Sequence, residues 1–416
     1  MLPPFKPAEA IELTIREEYG RILAALIKSV GDLQLAEDVL QDAIEAALNH
    51  WTENGLPASP AAWLIQTARR KAIDKFRRDA TFAKLQPELT YLTELENAQQ
   101  NVDENEEIPD KRLELIFTCC HPSLDRKTQV ALTLRTLGGL STDEIDRAFL
   151  DKPTAMAQRL VRAKKKIALA GIPYQVPPAD ILHERLNAVL SVIYLIFNEG
   201  YSASSGDRVT RGDLADEAIR LARITSLLLP DCAEVTGLLA LMLLHDSRRA
   251  ARQSKDGELI ALEHQDRSLW NQATISEGTD LIKQALRKQQ LGSYQLQASI
   301  SALHAEARTW SETDWPQINA LYALLYRMQP TAVVRINQSI AMSYAVSIDA
   351  AIEVLEQTPS ISDIKNYQPW HVAMADLLAR KGENKKSMPY LKKAIELTEN
   401  EAEKRFLQQK LTSINE

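Results

Sequence analysis

Apolar residues recur at helical spacing along almost the whole chain, and this periodicity constrains the fold more than any other feature. Alternating apolar and polar runs, which half-buried β-strands would need, are nearly absent. Glycine is scarce, with 14 residues in a chain of 416, and alanine, leucine, glutamate, glutamine and lysine, all strong helix formers, dominate. The sequence therefore predicts an all-α fold.

The length of 416 residues is too great for one ordinary domain and suggests two to four. Three breaks interrupt the helical pattern: an acidic stretch at 86–110 without lysine or arginine, a proline-rich stretch at 171–178, and a polar stretch at 202–213. We therefore predict a first module at 1–85, an acidic linker at 86–108, a second module at 109–172 and a helical extension at 173–416.

The net charge of −7 does not indicate a nucleic-acid-binding protein. A local basic patch would nevertheless be sufficient for nucleic-acid binding. Three cysteines, an odd and low number, are typical of a reducing cytoplasm rather than of a disulfide framework. The N-terminal segment lacks an apolar signal core, and the longest strongly apolar run, 238–244, is too short to span a membrane. We expect a soluble cytoplasmic protein without membrane contact.

A basic amphipathic helix is predicted after Ser59, which can act as its N-cap. At about 100° per residue, its apolar side chains gather on one arc, and six of the ten residues from 69 to 78 are basic. Trp63 lies away from that arc, on the same stripe as Arg70. An aromatic ring among arginines can stack an unpaired base while the guanidinium groups hold phosphates. The alternative is that Trp63 packs against a neighbouring helix and the arginines form a solvated surface.

The segment 31–51, immediately upstream, predicts an acidic helix with an apolar stripe through Val39 and Ala43. Its acidic side chains, such as Glu37 and Asp42, fall outside the stripe. An acidic, partly apolar helix beside a basic one suits two partners, a protein surface and a polyanion. An ordinary surface helix is the alternative.

A second pair of helices is predicted around residues 141–167. Ser141 and Glu144 have the spacing of a capping box, and Leu140 and Ile145 that of a hydrophobic staple. The first helix should end near Leu150, and the second should begin at about Thr154.

The second of these helices has the pattern of a recognition helix. Its apolar stripe is narrow, and five of the eight residues from 159 to 166 are basic. Short side chains at Thr154 and Ala155 allow close approach to base edges, Gln158 can read adenine, and Arg159 or Arg162 can read guanine or hold phosphate. The alternative is a plain helical hairpin with a lysine-rich end.

Both modules, in this order, resemble the two conserved domains of bacterial RNA polymerase sigma factors of the extracytoplasmic-function type. AEDVLQDAIEAALNHW at 36–51 looks like the polymerase-clamp-binding part of sigma domain two, and PAAWLIQTARRKAIDKFRRD at 60–79 looks like its minus-ten reading helix. LGGLSTDEIDRAFL and TAMAQRLVRAKKKI, within 137–167, look like the minus-thirty-five reading helix-turn-helix of sigma domain four. The whole chain further resembles the subgroup with a C-terminal tetratricopeptide-like helical extension, through stretches such as LIFTCCHPSL and VIYLIFNEGYSASSGDR.

This resemblance implies a sigma factor that binds core RNA polymerase and directs promoter recognition, DNA melting and transcription initiation. The residues implied for the minus-ten strand are Trp63, Arg70, Asp74, Arg77 and Arg78. Those implied for the minus-thirty-five duplex are Ser141, Thr142, Thr154, Ala155, Gln158, Arg159, Arg162 and Lys165. Those implied for the polymerase clamp are Leu40, Gln41 and Asp42.

The extension from residue 173 has the pattern of successive helix pairs. Two similar units, beginning at Ile336 and Met374, are offset by roughly 35–40 residues, which fits tetratricopeptide-like repeats. Stacked helix pairs leave a concave surface suited to a peptide or another domain. We expect the extension to bind an unidentified protein or peptide, to regulate sigma activity, and to keep aromatic residues such as Tyr201 and Trp270 in its core.

Two other classes of protein are weighed against a sigma factor. One is a repeat-based adaptor with a DNA-binding head that does not act as a polymerase subunit. The other is a helical enzyme with an acidic pocket built from the carboxylates Glu199, Asp246, Glu258 and Glu263. The chain carries no catalytic motif, so we expect no enzymatic activity. No cofactor or metal is predicted, because the run at 119–121 (CCH) has adjacent cysteines that would bind one tetrahedral ion awkwardly.

Overall fold

The computed structural model describes residues 7–82, 110–149, 153–201, 212–254, 258–358, 366–398 and 400–415. Helices are the regular elements of these ranges, and Gln253 and Leu259 form an isolated antiparallel bridge. The all-α prediction is confirmed. The predicted acidic linker at 86–108 lies outside the described residues, as does most of the polar stretch at 202–213.

The helices of the described ranges are numbered here in chain order. They are α1 (Pro7–Val30), α2 (Leu33–Asn54), α3 (Pro60–Phe82), α4 (Arg112–Cys119), α5 (Arg126–Thr136), α6 (Thr142–Phe149), α7 (Pro153–Leu169), α8 (Ala179–Tyr201), α9 (Gly212–Leu228), α10 (Ala233–Asp246), α11 (Gln272–Arg287), α12 (Ser293–Glu306), α13 (Trp315–Met328), α14 (Ala332–Ala345), α15 (Ile348–Glu356), α16 (Gln368–Arg380), α17 (Asn384–Leu397) and α18 (Glu401–Asn415). Within those ranges, none of the helices is long and apolar enough to cross a membrane.

The chain forms two compact units, Met1–Val192 and Ile193–Glu416. The division falls inside α8, whereas the sequence placed the start of the extension at residue 173. The first half of α8 packs within the N-terminal unit, where the Arg185 Nη2 donates a hydrogen bond to the Phe117 carbonyl at 2.7 Å. The prolines at 171–178 thus separate two helices of one unit rather than two units.

Helices α1, α2 and α3 pack around a core of side chains that are almost entirely buried, including Leu26 of α1, Trp51 of α2 and Leu64 of α3. The predicted apolar arc of α3 faces this core, and Ile73, which the helical wheel did not assign to it, is buried as well. The other side of α3 is therefore the side available to solvent.

Helices α4 to α7 complete the N-terminal unit. Cys119 and Cys120 are buried, and their sulfurs lie 3.1 Å from the Thr136 hydroxyl and 3.7 Å from the Thr133 hydroxyl. Burial raises the pKa of the Cys120 thiol to about 12, so the group stays protonated at neutral pH. These thiols are core groups.

In the C-terminal unit, α10 packs against both α11 and α12, and its residues from 235 to 244 are buried. Small residues allow the close approach of the helices, since a Cβ added at Gly237 would lie 2.9 Å from the backbone nitrogen of Gln295. Trp270 belongs to this core, with 3% of its surface exposed. The two similar units of the sequence form the consecutive helix pairs α14–α15 and α16–α17, which share a buried cluster around Leu355 and Leu377.

Candidate nucleic-acid interface

Trp63 lies at the start of α3 and is half-buried. Its ring stacks on His50 with centroids 5.3 Å apart and meets Trp51 edge-on at 5.6 Å. The packing against a neighbouring helix, weighed above as the alternative, is therefore present. It supports the ring while the residue stays partly accessible, which suits an anchored stacking platform.

The charged side chains of α3 divide into two groups. Arg70, Asp74 and Arg78 are exposed on the stripe that begins at Trp63, and Arg77 beside them is exposed as well. Arg69 lies outside this stripe. Its Nε donates to the Ser29 hydroxyl of α1 at 3.1 Å, and burial lowers the pKa of its guanidinium. The basic run thus contains one arginine that is hydrogen-bonded to α1 and several charged side chains that are exposed to solvent.

The capping box between α5 and α6 has the predicted geometry. The Ser141 backbone nitrogen donates to the Glu144 carboxylate at 2.7 Å, and the Glu144 backbone nitrogen donates to the Ser141 hydroxyl at 3.2 Å. Just before it, Gly139 has a φ of +68° and packs against the Tyr19 ring of α1. Ser141 and Thr142 are half-exposed at the start of α6.

Helix α7 buries only a narrow strip, formed by Met156, Leu160, Ala163 and Ile167. Of the predicted contact residues on its other side, three are exposed and two are half-buried. Those exposed are Gln158, Arg162 and Lys165, and those half-buried are Ala155 and Arg159. The side chain of Thr154 lies outside the described part of the structure.

A groove of about 440 Å³ lies between α7 and the start of α5. Arg159, Arg162 and Lys166 line one side of it, and Asp125, the N-cap of α5, lines the other. Hydrogen bonds from Thr128 hold the pKa of the Asp125 carboxyl below its usual range. The basic side of α7 thus carries one fixed negative charge at its edge, which the sequence reasoning had not placed there.

The three residues implied for polymerase binding differ in accessibility. Gln41 and Asp42 are exposed on α2, whereas Leu40 is 1% exposed. Leu40 faces a groove of about 360 Å³ between α2 and α7, which Leu160 and Val161 line from the opposite side. In this arrangement α7 covers part of the surface of α2 that the sequence assigned to a partner protein.

An ion pair that the sequence reasoning missed joins the same two helices. The Lys164 ammonium donates to the Glu37 carboxylate and, at 3.2 Å, to the Gln34 side-chain oxygen. Both charged side chains are 11% exposed. The two residues lie far apart in the sequence, and nothing in the basic run of α7 distinguishes Lys164 from its neighbours.

The carboxylates proposed for an acidic enzyme pocket do not form a common cluster. Asp246 pairs with Arg249, and Glu258 accepts a hydrogen bond from the Gln409 side chain at 2.9 Å. In the part of the chain that the structure describes, no group of three histidine, cysteine, aspartate or glutamate side chains is placed to hold a metal ion.

Comparison with known families assigns the N-terminal helices to a class. Residues 14–81, which comprise most of α1 with α2 and α3, match Sigma-70 region 2. The match supports a sigma factor, a class of protein that binds RNA polymerase and recognises promoter DNA. Residues 185–286 match a family of unknown function, DUF6596.

A relative of similar length is an uncharacterized protein of Rhizobium meliloti (strain 1021). It is 40% identical over 403 residues, which is 96% of this chain and 95% of that protein. The chain belongs to the same family as this protein. No solved structure matches the chain. The resemblance to sigma factors is thereby confirmed for the first module, and the subgroup with a tetratricopeptide-like extension stays a prediction.

Proposed function

We propose that the chain is a sigma factor of the extracytoplasmic-function type that docks α2 on core RNA polymerase and holds the unpaired minus-ten strand on α3. The observation that carries this proposal is the outward stripe of α3, where a supported but accessible Trp63 precedes Arg70 and Arg78. A base can stack on the indole while the guanidinium groups bind the flanking phosphates. Arg77 and Asp74 complete the proposed contact surface.

We further propose that α6 and α7 form a helix-turn-helix that reads the minus-thirty-five duplex. The major groove of B-DNA admits an α-helix, and the narrow buried strip of α7 leaves Gln158, Arg162 and Lys165 directed away from the core. The capped start of α6, with Ser141 and Thr142, is suited to receive a phosphate. Two weak DNA contacts gain affinity when the polymerase holds both at once.

Polymerase docking through Leu40, Gln41 and Asp42 requires that α7 first leave α2. Leu40 lies under the groove shared by the two helices, and the Lys164–Glu37 pair joins them. The arrangement described here is then a resting one, and polymerase binding competes with the contact between α2 and α7.

The C-terminal unit is proposed to regulate this activity and to bind a protein or peptide on tetratricopeptide-like helix pairs. Two features support this proposal: the unit is large, and its helices form pairs. Residues 185–286 match a family of unknown function, which assigns no other role to this part of the chain. Comparing transcription by the full chain with that by a chain ending at Val192 tests regulation. Equal output from the two proteins, both folded by circular dichroism, would rule it out.

The test of the sigma function is capture of core RNA polymerase followed by promoter-dependent run-off transcription. Trp63→Ala should abolish most open-complex formation, and Trp63→Phe should retain part of it because a ring still stacks. Arg70→Gln should weaken promoter binding, while Arg308→Gln, which removes the same charge from an exposed position of the C-terminal unit, should not. A chain that binds DNA in a salt-dependent manner yet fails to bind polymerase would instead be the adaptor weighed above.

A further inference from the structure

Three basic side chains of the C-terminal unit surround one tyrosine ring at the end of α8. The guanidinium carbons of Arg252 and Arg248 lie 3.5 Å and 5.6 Å from the centre of the Tyr201 ring. The His245 imidazole lies 5.2 Å from it, centroid to centroid. These residues come from α8, from the end of α10 and from the short turn that follows, so the fold brings them together.

Among the residues that the structure describes, no carboxylate pairs with the two guanidinium groups at this ring, although arginines in such places usually have a counter-charge. Arg252 is 8% exposed and donates to the Tyr201 carbonyl, and the guanidinium of Arg248 makes no hydrogen bond or ion pair with any residue that the structure describes. The adjacent Arg249, by contrast, has counter-charges, because it forms ion pairs with both Asp246 and Asp216. A nearly buried charge without a counter-ion is costly, and arginine cannot escape the cost by losing its proton.

Further hydrogen-bonding atoms beside these arginines are buried without partners. His245 uses its Nε2 on the Ser301 hydroxyl at 3.0 Å, which leaves its Nδ1 buried and without a partner. His304 Nδ1 and Arg267 Nη2 are also buried without a hydrogen-bond partner, although Arg267 Nη1 donates to the His304 carbonyl at 2.7 Å. Buried polar groups are almost always satisfied, so such a concentration of unsatisfied ones calls for a ligand.

The electrostatics of the cluster agree with its geometry. Desolvation and, after it, the charge of Arg248 lower the pKa of His245, His304 and Arg267. Desolvation is also the main cause that lowers the pKa of Arg252; Tyr201 opposes it, and the charge of Arg248 adds a smaller lowering effect. Among the described carboxylates, Glu312 acts on this set by raising the pKa of Arg267, and it forms no ion pair with it within 4 Å. The positive charge is therefore concentrated and is not neutralised by any of the described side chains.

We propose that Arg248, Arg252 and His245 at the Tyr201 ring, together with the neighbouring Arg267 and His304, form a binding site for the carboxylate or phosphate group of a small molecule. The planar fork of a guanidinium matches the oxygens of either group, and a nearly buried setting strengthens such charge-assisted hydrogen bonds. The ligand would provide both the missing counter-charge and an acceptor for the unsatisfied Arg267 Nη2. The site goes beyond the proposed sigma function, since it gives the C-terminal unit a small-molecule ligand of its own.

The test is isothermal titration calorimetry of the full chain at constant ionic strength. One arm uses inorganic phosphate and the other uses succinate, with potassium chloride as the control for non-specific salt effects. We expect saturable binding at one site per chain for at least one of the two probes, and the arm that saturates identifies the anion. Polymerase and DNA are absent, so the result is independent of the sigma function.

Arg248→Gln should weaken that binding about tenfold or more, because a charge-assisted hydrogen bond is lost. Arg248→Lys, which keeps the charge but not the fork, should give an intermediate loss. Arg287→Gln removes the same charge from an exposed position of α11 and should leave binding unchanged. Circular dichroism checks that each variant folds. If Arg248→Gln does not fold, the binding measured for Arg248→Lys decides the test. Absence of saturable binding in both arms, or an equal loss in Arg287→Gln, would overturn the proposal.

Discussion

Replacing Lys164 by alanine removes one partner of the ion pair that joins α7 to α2. Both side chains are 11% exposed, and the second oxygen of Glu37 is already buried without a hydrogen bond. Breaking a buried ion pair by removing one partner costs about 3–5 kcal/mol, because the other charge stays desolvated. Since this pair keeps some contact with water, we expect Lys164→Ala to lower the free energy of unfolding of the N-terminal unit by about 3 kcal/mol.

The same unit offers a matched control. Lys75 of α3 and Asp38 of α2 form an ion pair at 3.5 Å whose side chains are 42% and 45% exposed. Exposed pairs contribute about 0–1 kcal/mol, since water screens both charges. Lys75→Ala removes the same side chain from another pair involving α2, and we expect it to change the free energy of unfolding by less than about 1 kcal/mol.

Urea unfolding followed by hydrogen exchange and mass spectrometry measures both changes, because peptides from α2 and α7 report on the N-terminal unit separately from the rest. A double-mutant cycle of Lys164→Ala with Glu37→Gln isolates the pairwise coupling, expected at about 2 kcal/mol. If Lys164→Ala and Lys75→Ala lose the same stability, or if the coupling falls below about 0.5 kcal/mol, the contact between α2 and α7 does not hold in solution.

The same variant also tests whether that contact competes with polymerase. Since α7 covers Leu40, weakening the contact should strengthen binding of core RNA polymerase, by about tenfold for each 1.4 kcal/mol removed from the closed arrangement. Surface plasmon resonance with immobilised polymerase measures the gain. An unchanged affinity in a folded Lys164→Ala protein would mean that α7 does not restrict access to α2.

Three further predictions concern the N-terminal unit. Asp125→Ala should lower the stability of α5 by about 1 kcal/mol through loss of the N-cap. Because the pKa of Asp125 is below its usual 3.8, its contribution is present at higher pH and is lost as the pH falls through that lowered pKa, so acid titration of unfolding should show a shallower loss in the variant. Gly20→Ala should cost about 1–3 kcal/mol in thermal unfolding, since its Cβ would lie 2.8 Å from a backbone oxygen of the loop after α5, and an unchanged melting temperature would contradict that packing. The buried Cys120 should react with iodoacetamide only on unfolding, whereas the partly exposed Cys232 should be alkylated in the native protein, as mass spectrometry would show.

The amino-acid sequence alone determined the helices, their caps and the sides they bury. The capping box of Ser141 and Glu144 and the buried strip from Met156 to Ile167 were predictable, because interactions between residues three or four apart are recorded in local spacing. The sigma-factor class was also readable, since several motifs occur in a fixed order, and the match to Sigma-70 region 2 agrees with it.

Only the tertiary structure decided which charges meet and which surfaces are covered. Leu40 looked like a surface residue until α7 was placed over it, and the partner of Lys164 lies on a helix that the sequence had put in another module. The arginines around Tyr201 likewise carry no local signal. Segments distant in sequence decide whether a charged group is paired, buried without a counter-ion or hydrated, because they remove water from it. Helical periodicity contains no information about those segments.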